Sequence, residues 1–365
     1  MKTLTRQDLT DLLHGAAIRG AGGGGDLSEG FALIDEALAA GKQFDLFGLD
    51  EVPDDALICT PYLLGAISPL TDEEIARYAA LPQADTHPVL TAYAEFEKRL
   101  GKPFFATTAC ELGGSNTAAA WFPAAMHGRG LLDADPAGRA VPEITHSTYY
   151  LAGLPASPIV AANAFGETFW LDGIKDDQRA ETLVRALSRE SRNDIAAIDH
   201  ALPMACLRDA LIPSTISAAL ALGQRVRAAH ATGEDVAEAI ANSGGGRVAC
   251  RGTVRESTHT TEGGFTLGEI AIGGTGEDAG VDFRIAIKNE NMAAWRNGDV
   301  VATVPDLICV IDTDTAEPVT NPHARVGQRV AVVFLPAPAA FTTEKGLSVF
   351  GPAYAGIDQP YTPAC

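Results

Sequence analysis

Hydrophobic spacing in the first part of the chain follows the helical pattern twice. The leucines of residues 4–20 recur at helical intervals, and Thr5 with Asp8 three residues later predicts a capped helix start. A second helix is predicted over residues 27–41, with Ser28 as its N-cap. Each helix has one apolar face, so both are expected to pack against a larger layer.

Short apolar runs alternate with these helices. Residues 44–46 and 56–60 predict strands, and the second run is apolar on both faces, as in the centre of a parallel sheet. A helix is predicted over residues 88–100, ending at Gly101, and a buried strand over 102–110. This alternation predicts an α/β fold with a mixed or parallel sheet and helices on its faces.

The pattern changes after the glycine run at residues 243–246. Short alternating segments separated by Gly, Asp and Asn follow it, which is typical of an antiparallel β sandwich or barrel. We therefore predict an α/β domain over residues 1–245 and a smaller antiparallel β-rich domain over residues 246–335. The tail at residues 336–365 is expected to pack back on the surface.

The charge of the chain limits its partners. The 365 residues carry a formal net charge of −20 without a run of Lys and Arg, which opposes binding to nucleic acid or anionic lipid. The N-terminus is too polar for a signal peptide, and no apolar run has the length of a transmembrane helix. We expect a cytoplasmic protein with a small-molecule substrate and no membrane partner. A homo-oligomer is compatible with the sequence.

Four consecutive glycines, Gly22 to Gly25, and Asp26 lie between the first two predicted helices. Glycines before a helix start leave amides free, so Gly23, Gly24, Gly25 and Asp26 are predicted to bind substrate through a carboxylate, phosphate or oxyanion. The alternative is a turn that needs positive φ angles. No strand precedes the glycines and no GK[ST] follows them, which argues against nucleotide-binding loops.

A polar loop follows the strand predicted at 102–110, at the strand end where open α/β sheets bind ligands. Its polar side chains are Glu111 and Asn116, with Gly114 between them, and all three are predicted to bind substrate. The six cysteines are scattered without a CxxC pair, which predicts reduced thiols. Cys110 alone lies beside the predicted site, so a nucleophilic thiol is a minor alternative.

The stretch from residue 133 to residue 146 concentrates the polar chemistry. Asp133 and Asp135 would share a strand face, and Glu143 and His146 would share a helical face. These four residues are the predicted ligands of one divalent metal (Zn, Mn or Mg) with a bound water. Glu143, His146, Asp135 and Arg139 are the predicted catalytic residues. Alternatively, Arg139 pairs with an aspartate and only fixes the loop.

Polar residues also mark the β-rich part of the chain. Asn289 and Asn291 are expected to close hairpins, whereas Glu290 and Asp306 are predicted to contribute to substrate binding, with hairpin closure as the alternative. His200 has no partner at a useful spacing and is interpreted as a surface or boundary residue.

The motifs GGGGD, ELGGSN, DADPAGRAVPE, NEN, PDLI and GPAYAGID occur in this order and resemble the S-methyl thiohydantoin desulfurase-like family. The resemblance runs from Leu9 to Tyr361. It implies an N-terminal α/β domain, a β-rich C-terminal domain, a family-type boundary near residue 166 and a link with hydantoin and thiohydantoin breakdown. One departure is Thr145, where many relatives have Gln, so substrate choice here is expected to differ if that Gln contacts the ligand.

The resemblance and the polar residues together predict a hydrolase. Activated water would attack the sulfur-bearing carbon or a ring carbonyl of a hydantoin-like ring, with Arg139, Asn116 and the glycine amides stabilising the developing anion. The alternative is a non-catalytic partner subunit of a hydantoinase- or oxoprolinase-type enzyme. In that case the acidic cluster would be a structural ion-pair network.

Overall fold

Two large sheets and a small sheet of two strands organise the part of the chain that the computed structural model describes, residues 1–66 and 70–365. The helices are α1 (Arg6–Arg19), α2 (Leu27–Ala39), α3 (Asp72–Ala79), α4 (Pro88–Leu100), α5 (Asn116–Met126), α6 (Thr148–Ala152), α7 (Asp177–Arg189), α8 (Met204–Leu207), α9 (Thr215–Thr232), α10 (Val236–Gly244) and α11 (Glu344–Phe350). The strands before residue 214 are β1 (Lys2–Thr3), β2 (Asp45–Phe47), β3 (Leu57–Gly65), β4 (Ala106–Thr107), β5 (Gly130–Leu132), β6 (Ala134–Asp135), β7 (Ile159–Ala162), β8 (Thr168–Leu171), β9 (Asp194–Pro203) and β10 (Ile212–Pro213). Those after it are β11 (Arg247–Glu262), β12 (Phe265–Gly274), β13 (Asp282–Lys288), β14 (Glu290–Arg296), β15 (Asp299–Thr303), β16 (Leu307–Asp312) and β17 (Arg329–Leu335).

The first sheet is mixed and has the order β1-β2-β5-β4-β3-β9-β7-β8 in the described residues. Its centre, from β2 to β3, is parallel, and the strands on either side are antiparallel. Strands β4 and β5 therefore end at the same edge of the sheet, and each leads into one of the two polar stretches identified in the sequence. The predicted α/β class is confirmed.

Strand β9 was not predicted, although it lies near the middle of the sheet. It pairs antiparallel with β3 over residues 57–65 and with β7 over residues 160–162. Its first half is the apolar run Ile195–Ile198, which is buried on both faces. The second half carries Asp199 and His200, also buried, to the centre of the molecule.

Local signals explain the ends of the helices beside the glycine loop. The predicted capping box of Thr5 and Asp8 is present at the start of α1. The N-cap of α2 is Asp26 and not Ser28, because the Asp26 carboxylate accepts from the Ser28 amide at 2.6 Å. Helix α1 also crosses α9 at backbone contact, since a Cβ at Gly15 would lie 1.8 Å from the Ala219 carbonyl oxygen. This crossing fixes the residues that lead into the glycine loop.

The second sheet is antiparallel, with the order β15-β14-β13-β12-β11-β17-β16 in the described residues. Asn289, at φ +60°, closes the turn from β13 to β14. The Asn291 amide donates to the Ala21 carbonyl at 2.9 Å, and the Asn321 amide donates to the Gly22 carbonyl at 2.8 Å. The second sheet therefore holds the glycine loop directly.

The C-terminal residues return to this junction. Asp306 accepts from the Ala337 amide at 3.0 Å, from the Tyr361 hydroxyl at 2.8 Å and from the Ala364 amide at 2.7 Å. These bonds hold residues 337–364 against the second sheet. No helix within residues 1–66 and 70–365 is long and apolar enough to cross a membrane.

Candidate active site

A cavity of about 670 Å³ lies where the glycine loop meets both sheets. Of the predicted site residues, it is lined by Gly23, Gly24, Gly25, Asp26, Glu111, Asn116, Glu143 and Glu290. The remaining predicted residues do not line it within the described part of the chain; they are Gly114, Asp133, Asp135, Arg139, His146 and Asp306. The structure thus places most of the predicted substrate-binding residues around one cavity and separates most of the predicted catalytic residues from it.

The glycine loop is packed too tightly for side chains. A Cβ at Gly23 would lie 2.1 Å from Oε1 of Glu290, and one at Gly24 would lie 2.3 Å from Cα of Gly113. Gly24 and Gly25 also have φ angles of +78° and +79°, which disfavour other residues. The close approach and the positive φ angles both account for the glycines. The Gly24 and Gly25 amides have no backbone acceptor among the described residues, so they remain available as donors.

Glu111 is anchored at the centre of the cavity wall. Its Oε1 accepts from Nδ2 of Asn116 at 2.6 Å, and its Oε2 accepts from the Val141 amide at 2.7 Å. Asn116 is itself locked to Leu63, since its Oδ1 accepts from the Leu63 amide at 2.8 Å and its Nδ2 donates to the Leu63 carbonyl at 3.2 Å. The orientation of the carboxyl is therefore fixed from two sides.

Two buried carboxyls share this wall. Burial is the main cause that raises the pKa of Glu111 to about 7. The two hydrogen bonds of the carboxyl oppose this rise, the Asp135 charge adds to it, and the Arg139 charge opposes it. Burial, followed by the Glu111 charge, holds the pKa of Glu290 well above its usual range. Two carboxyls in one low-dielectric site cannot both ionise easily. At neutral pH the pair keeps at least one proton and can both accept and donate one.

Glu143 lines the cavity in an ionised state. It lies in a loop and not on a helix, so it does not share a helical face with His146. Its Oε1 accepts from the Tyr354 hydroxyl at 2.6 Å and from Nζ of Lys288 at 3.1 Å. Burial would raise the pKa of Glu143, but the Tyr354 hydrogen bond and the Lys288 charge outweigh it, so the net pKa is lowered. A carboxylate stabilised in this way is a weak base.

His146 and Arg139 lie behind the cavity. The His146 ring packs against Phe350 and Tyr354, with centroid distances of 4.5 and 4.4 Å. Burial lowers the pKa of His146 to about 3, so the ring is neutral at physiological pH. The Arg139 side chain donates from Nη1 to the carbonyls of Pro305 and Asp306, at 2.8 and 2.7 Å, and its guanidinium lies over Phe350. Arg139 therefore ties the two halves of the chain together and does not pair with an aspartate.

The predicted metal ligands are not brought together. The sheet pairing is interrupted at Asp133, which caps α9 by accepting from the Ser217 amide at 2.8 Å. Asp135 instead accepts from the amides of Ala137 and Gly138, at 2.9 and 2.7 Å. Across residues 1–66 and 70–365, no group of three or more His, Cys, Asp or Glu side chains is placed to hold a metal ion. The donor set does not fit the predicted divalent metal.

Gly114 and Asp306 also have structural contacts in place of the predicted substrate contacts. A Cβ at Gly114 would lie 3.0 Å from the Gly25 carbonyl oxygen and 3.0 Å from the Leu27 amide. Asp306 holds the C-terminal residues, as described above. Gly114 supports the glycine loop, which borders the cavity, and Asp306 holds the C-terminal residues.

A polar cluster on β9, which also lines the cavity, was not predicted from the sequence. The Oδ1 atom of Asp199 lies 2.7 Å from Nδ1 of His200, and its Oδ2 accepts from the Tyr62 hydroxyl at 3.1 Å. All three residues line the cavity. Burial alone would lower the pKa of His200, but the Asp199 charge and hydrogen bond outweigh it, and the net pKa is raised. The signal in the sequence was the apolar run Ile195–Ile198 directly before Asp199.

Cys110 borders the same cavity, but its environment does not favour a thiolate. Burial holds the pKa of the Cys110 thiol well above its usual range, and the Glu111 and Asp199 charges raise it further. A reactive cysteine needs a nearby cation or a helix N-terminus to lower this pKa. The minor alternative of a nucleophilic thiol therefore receives no support from its surroundings.

The wall near the glycine loop is acidic as well. Burial and the neighbouring Asp26 raise the pKa of Glu29. Asp194 also lines the cavity. Desolvation by the surrounding protein is the main cause that raises the pKa of its carboxyl to about 6, and the Glu29 charge adds to it. His323, 3.6 Å from Asp26, is a basic neighbour on this side. The cavity as a whole favours a neutral or cationic ligand over an anion.

Comparisons with known proteins agree with this architecture. A family model described as S-Me-THD-like, N-terminal domain, matches residues 7–173, and a second described as S-Me-THD-like, C-terminal domain, matches residues 175–364. No curated protein matches the chain. A crystal structure of a protein from Chromobacterium violaceum is similar in fold, with a TM-score of 0.76, 24% identity and complete coverage of both chains.

Proposed function

Because this chain belongs to the S-Me-THD-like family, we propose that it is a hydrolase that removes the sulfur substituent of an S-methyl thiohydantoin-like ring. The observation that carries the proposal is Glu111, a buried carboxyl in the cavity whose pKa is raised to about 7. A general base or acid works best when its pKa lies near the working pH.

In the proposed reaction, Glu111 takes a proton from a water molecule as the water oxygen bonds to the sulfur-bearing ring carbon. The carbon–sulfur bond then breaks; one of the two water protons goes to the leaving thiolate, and the other goes to the ring nitrogen that was doubly bonded to this carbon. The products are a hydantoin and methanethiol, so one water is consumed for each bond broken. In this proposal the Gly24 and Gly25 amides donate to the negative charge that develops on the ring. No step is assigned to a metal ion, because the predicted ligands are separated.

The acidic wall supports a neutral substrate. A hydantoin-like ring carries no obligatory charge, and its amide groups offer both donors and acceptors. A cavity of about 670 Å³ lies within the range of about 300–1,000 Å³ that is usual for small-molecule sites. The ring alone would leave room for a substituent at the sp³ carbon.

The test is an assay of the purified protein alone with S-methyl thiohydantoin, thiohydantoin and hydantoin, with and without prior chelator dialysis. We expect equimolar methanethiol and hydantoin from the first substrate, and the same rate after dialysis. Ring-opened product without thiol release would replace the C–S step by hydrolysis of the ring amide. A protein that is inert alone and active only when mixed with a hydantoinase-type enzyme would favour the partner-subunit alternative.

A further inference from the structure

Glu290 has a carboxyl oxygen for which the described residues offer no partner. The side chain is 3% exposed, lines the cavity, and its Oε2 makes no hydrogen bond. A buried polar atom without a partner costs about 1–3 kcal/mol, so such atoms call for an explanation. In a ligand cavity, a natural explanation is that the ligand supplies the missing partner.

The surroundings of Glu290 favour its neutral form. Burial and the Glu111 carboxyl disfavour ionisation, while the Arg139 and Arg185 guanidiniums favour it. Arg185 donates to Glu181 and to the carbonyls of Pro142 and Gly264, so its charge is shared with other acceptors. Burial dominates this balance, and the carboxyl stays protonated. A protonated carboxyl presents one O–H donor and one C=O acceptor side by side.

The position of Glu290 is built into the backbone around it. Gly23 allows the side chain to lie directly on the glycine loop, since an added Cβ would lie 2.1 Å from Oε1. The preceding residue, Asn289, has φ +60°, and its carbonyl accepts from Nδ2 of Asn321 at 2.9 Å. The carboxyl is therefore held in place before a ligand arrives, which reduces the entropy cost of binding.

We propose, on the basis of the proposed function, that Glu290 selects rings with an unsubstituted amide edge: its O–H donates to a ring carbonyl and its C=O accepts from the adjacent ring N–H. The substrate class is then a five-membered cyclic amide whose N–H lies next to C=O, as in hydantoins and in the N3–H tautomer of S-methyl thiohydantoin. A ring methylated at these nitrogens cannot donate and leaves the carboxyl oxygen unpaired. Sites built to hydrogen-bond an N–H discriminate strongly against analogues that lack it.

The test measures binding of hydantoin and of 1,3-dimethylhydantoin, which has no N–H, by calorimetry. We expect the wild type to bind hydantoin at least about tenfold more tightly than the dimethyl compound. Glu290→Gln keeps a donor and an acceptor side by side, so it should preserve most of this ratio, whereas Glu290→Ala should bind both compounds within about threefold. The 1-methyl and 3-methyl compounds then identify which amide edge is read.

The inference would be overturned by the absence of a preference for hydantoin in the wild type, or by the same preference in Glu290→Ala as in the wild type. The wild-type measurement decides even if the alanine variant fails to fold. A Glu290→Gln variant as impaired as Glu290→Ala would show that an ionised carboxylate is needed and would also contradict it. Binding requires no turnover, so absence of methanethiol release with an intact preference would contradict the proposed reaction alone.

Discussion

Replacing Glu111 by Gln should change how the stability of the protein depends on pH. In the folded protein the pKa of Glu111 is raised from 4.5 to about 7, chiefly by burial. Between these values the folded protein keeps a proton that the unfolded chain releases, so this contribution to stability is complete below pH 4.5 and is lost as the pH rises through about 7. At about 1.4 kcal/mol per pH unit, the loss is about 3 kcal/mol.

The glutamine also introduces one local conflict. Asn116 is locked to Leu63 through both atoms of its amide, so it cannot turn to accept from the new side chain. In either orientation of a Gln side chain at position 111, its NH2 group faces either Nδ2 of Asn116 or the Val141 backbone amide. Both of these groups are donors, so one pair of donors is left facing each other. This contact should cost about 1–3 kcal/mol at every pH. Glu111→Gln should therefore be less stable than the wild type at pH 5, and equal to it or more stable at pH 8.

Urea unfolding at pH 5, 6, 7 and 8 measures this effect. The control is Glu256→Gln, which removes an exposed carboxyl on β11, away from the cavity. The unfolding free energy of Glu111→Gln relative to the wild type should move by about 2.5 kcal/mol in favour of the variant across the series, whereas the control should remain parallel to the wild type. A constant difference between wild type and Glu111→Gln at all four pH values would refute the raised pKa of Glu111.

Three further substitutions separate structural from catalytic roles. His146→Phe should retain activity within about threefold and stability within about 1.5 kcal/mol, because His146 is a neutral ring packed against Phe350 and Tyr354; inactivity in a folded variant would restore the predicted catalytic role. Glu143→Gln removes a partly exposed ion pair worth about 1 kcal/mol or less. Because Glu143 is not the proposed base, kcat/KM should fall less than about tenfold; a loss of 100-fold would assign the base to Glu143. Arg139→Ala should lower the unfolding free energy by about 3–5 kcal/mol, since buried carbonyls lose their donor; denaturation that matches the wild type would contradict this role.

Local signals in the sequence predicted much of the fold. The capping box of Thr5 and Asp8 depends on residues three apart, and the helix end at Gly101 depends on one glycine with φ +64°. Such signals need no knowledge of distant residues. The order of motifs across the chain predicted the family, which the two family models confirm.

The site was predicted less well, because its contacts join residues that are far apart in sequence. The spacing of Asp133 and Asp135 suggested that they share one strand face. The strand pairing is interrupted at Asp133, however, and the two carboxylates bind different partners. Glu143 finds Lys288 and Tyr354, which no local pattern connects to it. His200 looked isolated because its partner, Asp199, is its neighbour on a strand that the sequence did not predict.

Glu111 is proposed to activate water in the cavity, and the rate of methanethiol release is the direct probe of that role. The measurement is kcat/KM for S-methyl thiohydantoin between pH 5 and pH 9, for wild type and Glu111→Gln. The wild-type rate is expected to fall as the pH drops below about 7, and Glu111→Gln should be about 10²–10⁴-fold slower and lack this fall. A Glu111→Gln variant within about tenfold of the wild type, with the same fall below pH 7, would contradict the proposed role of Glu111.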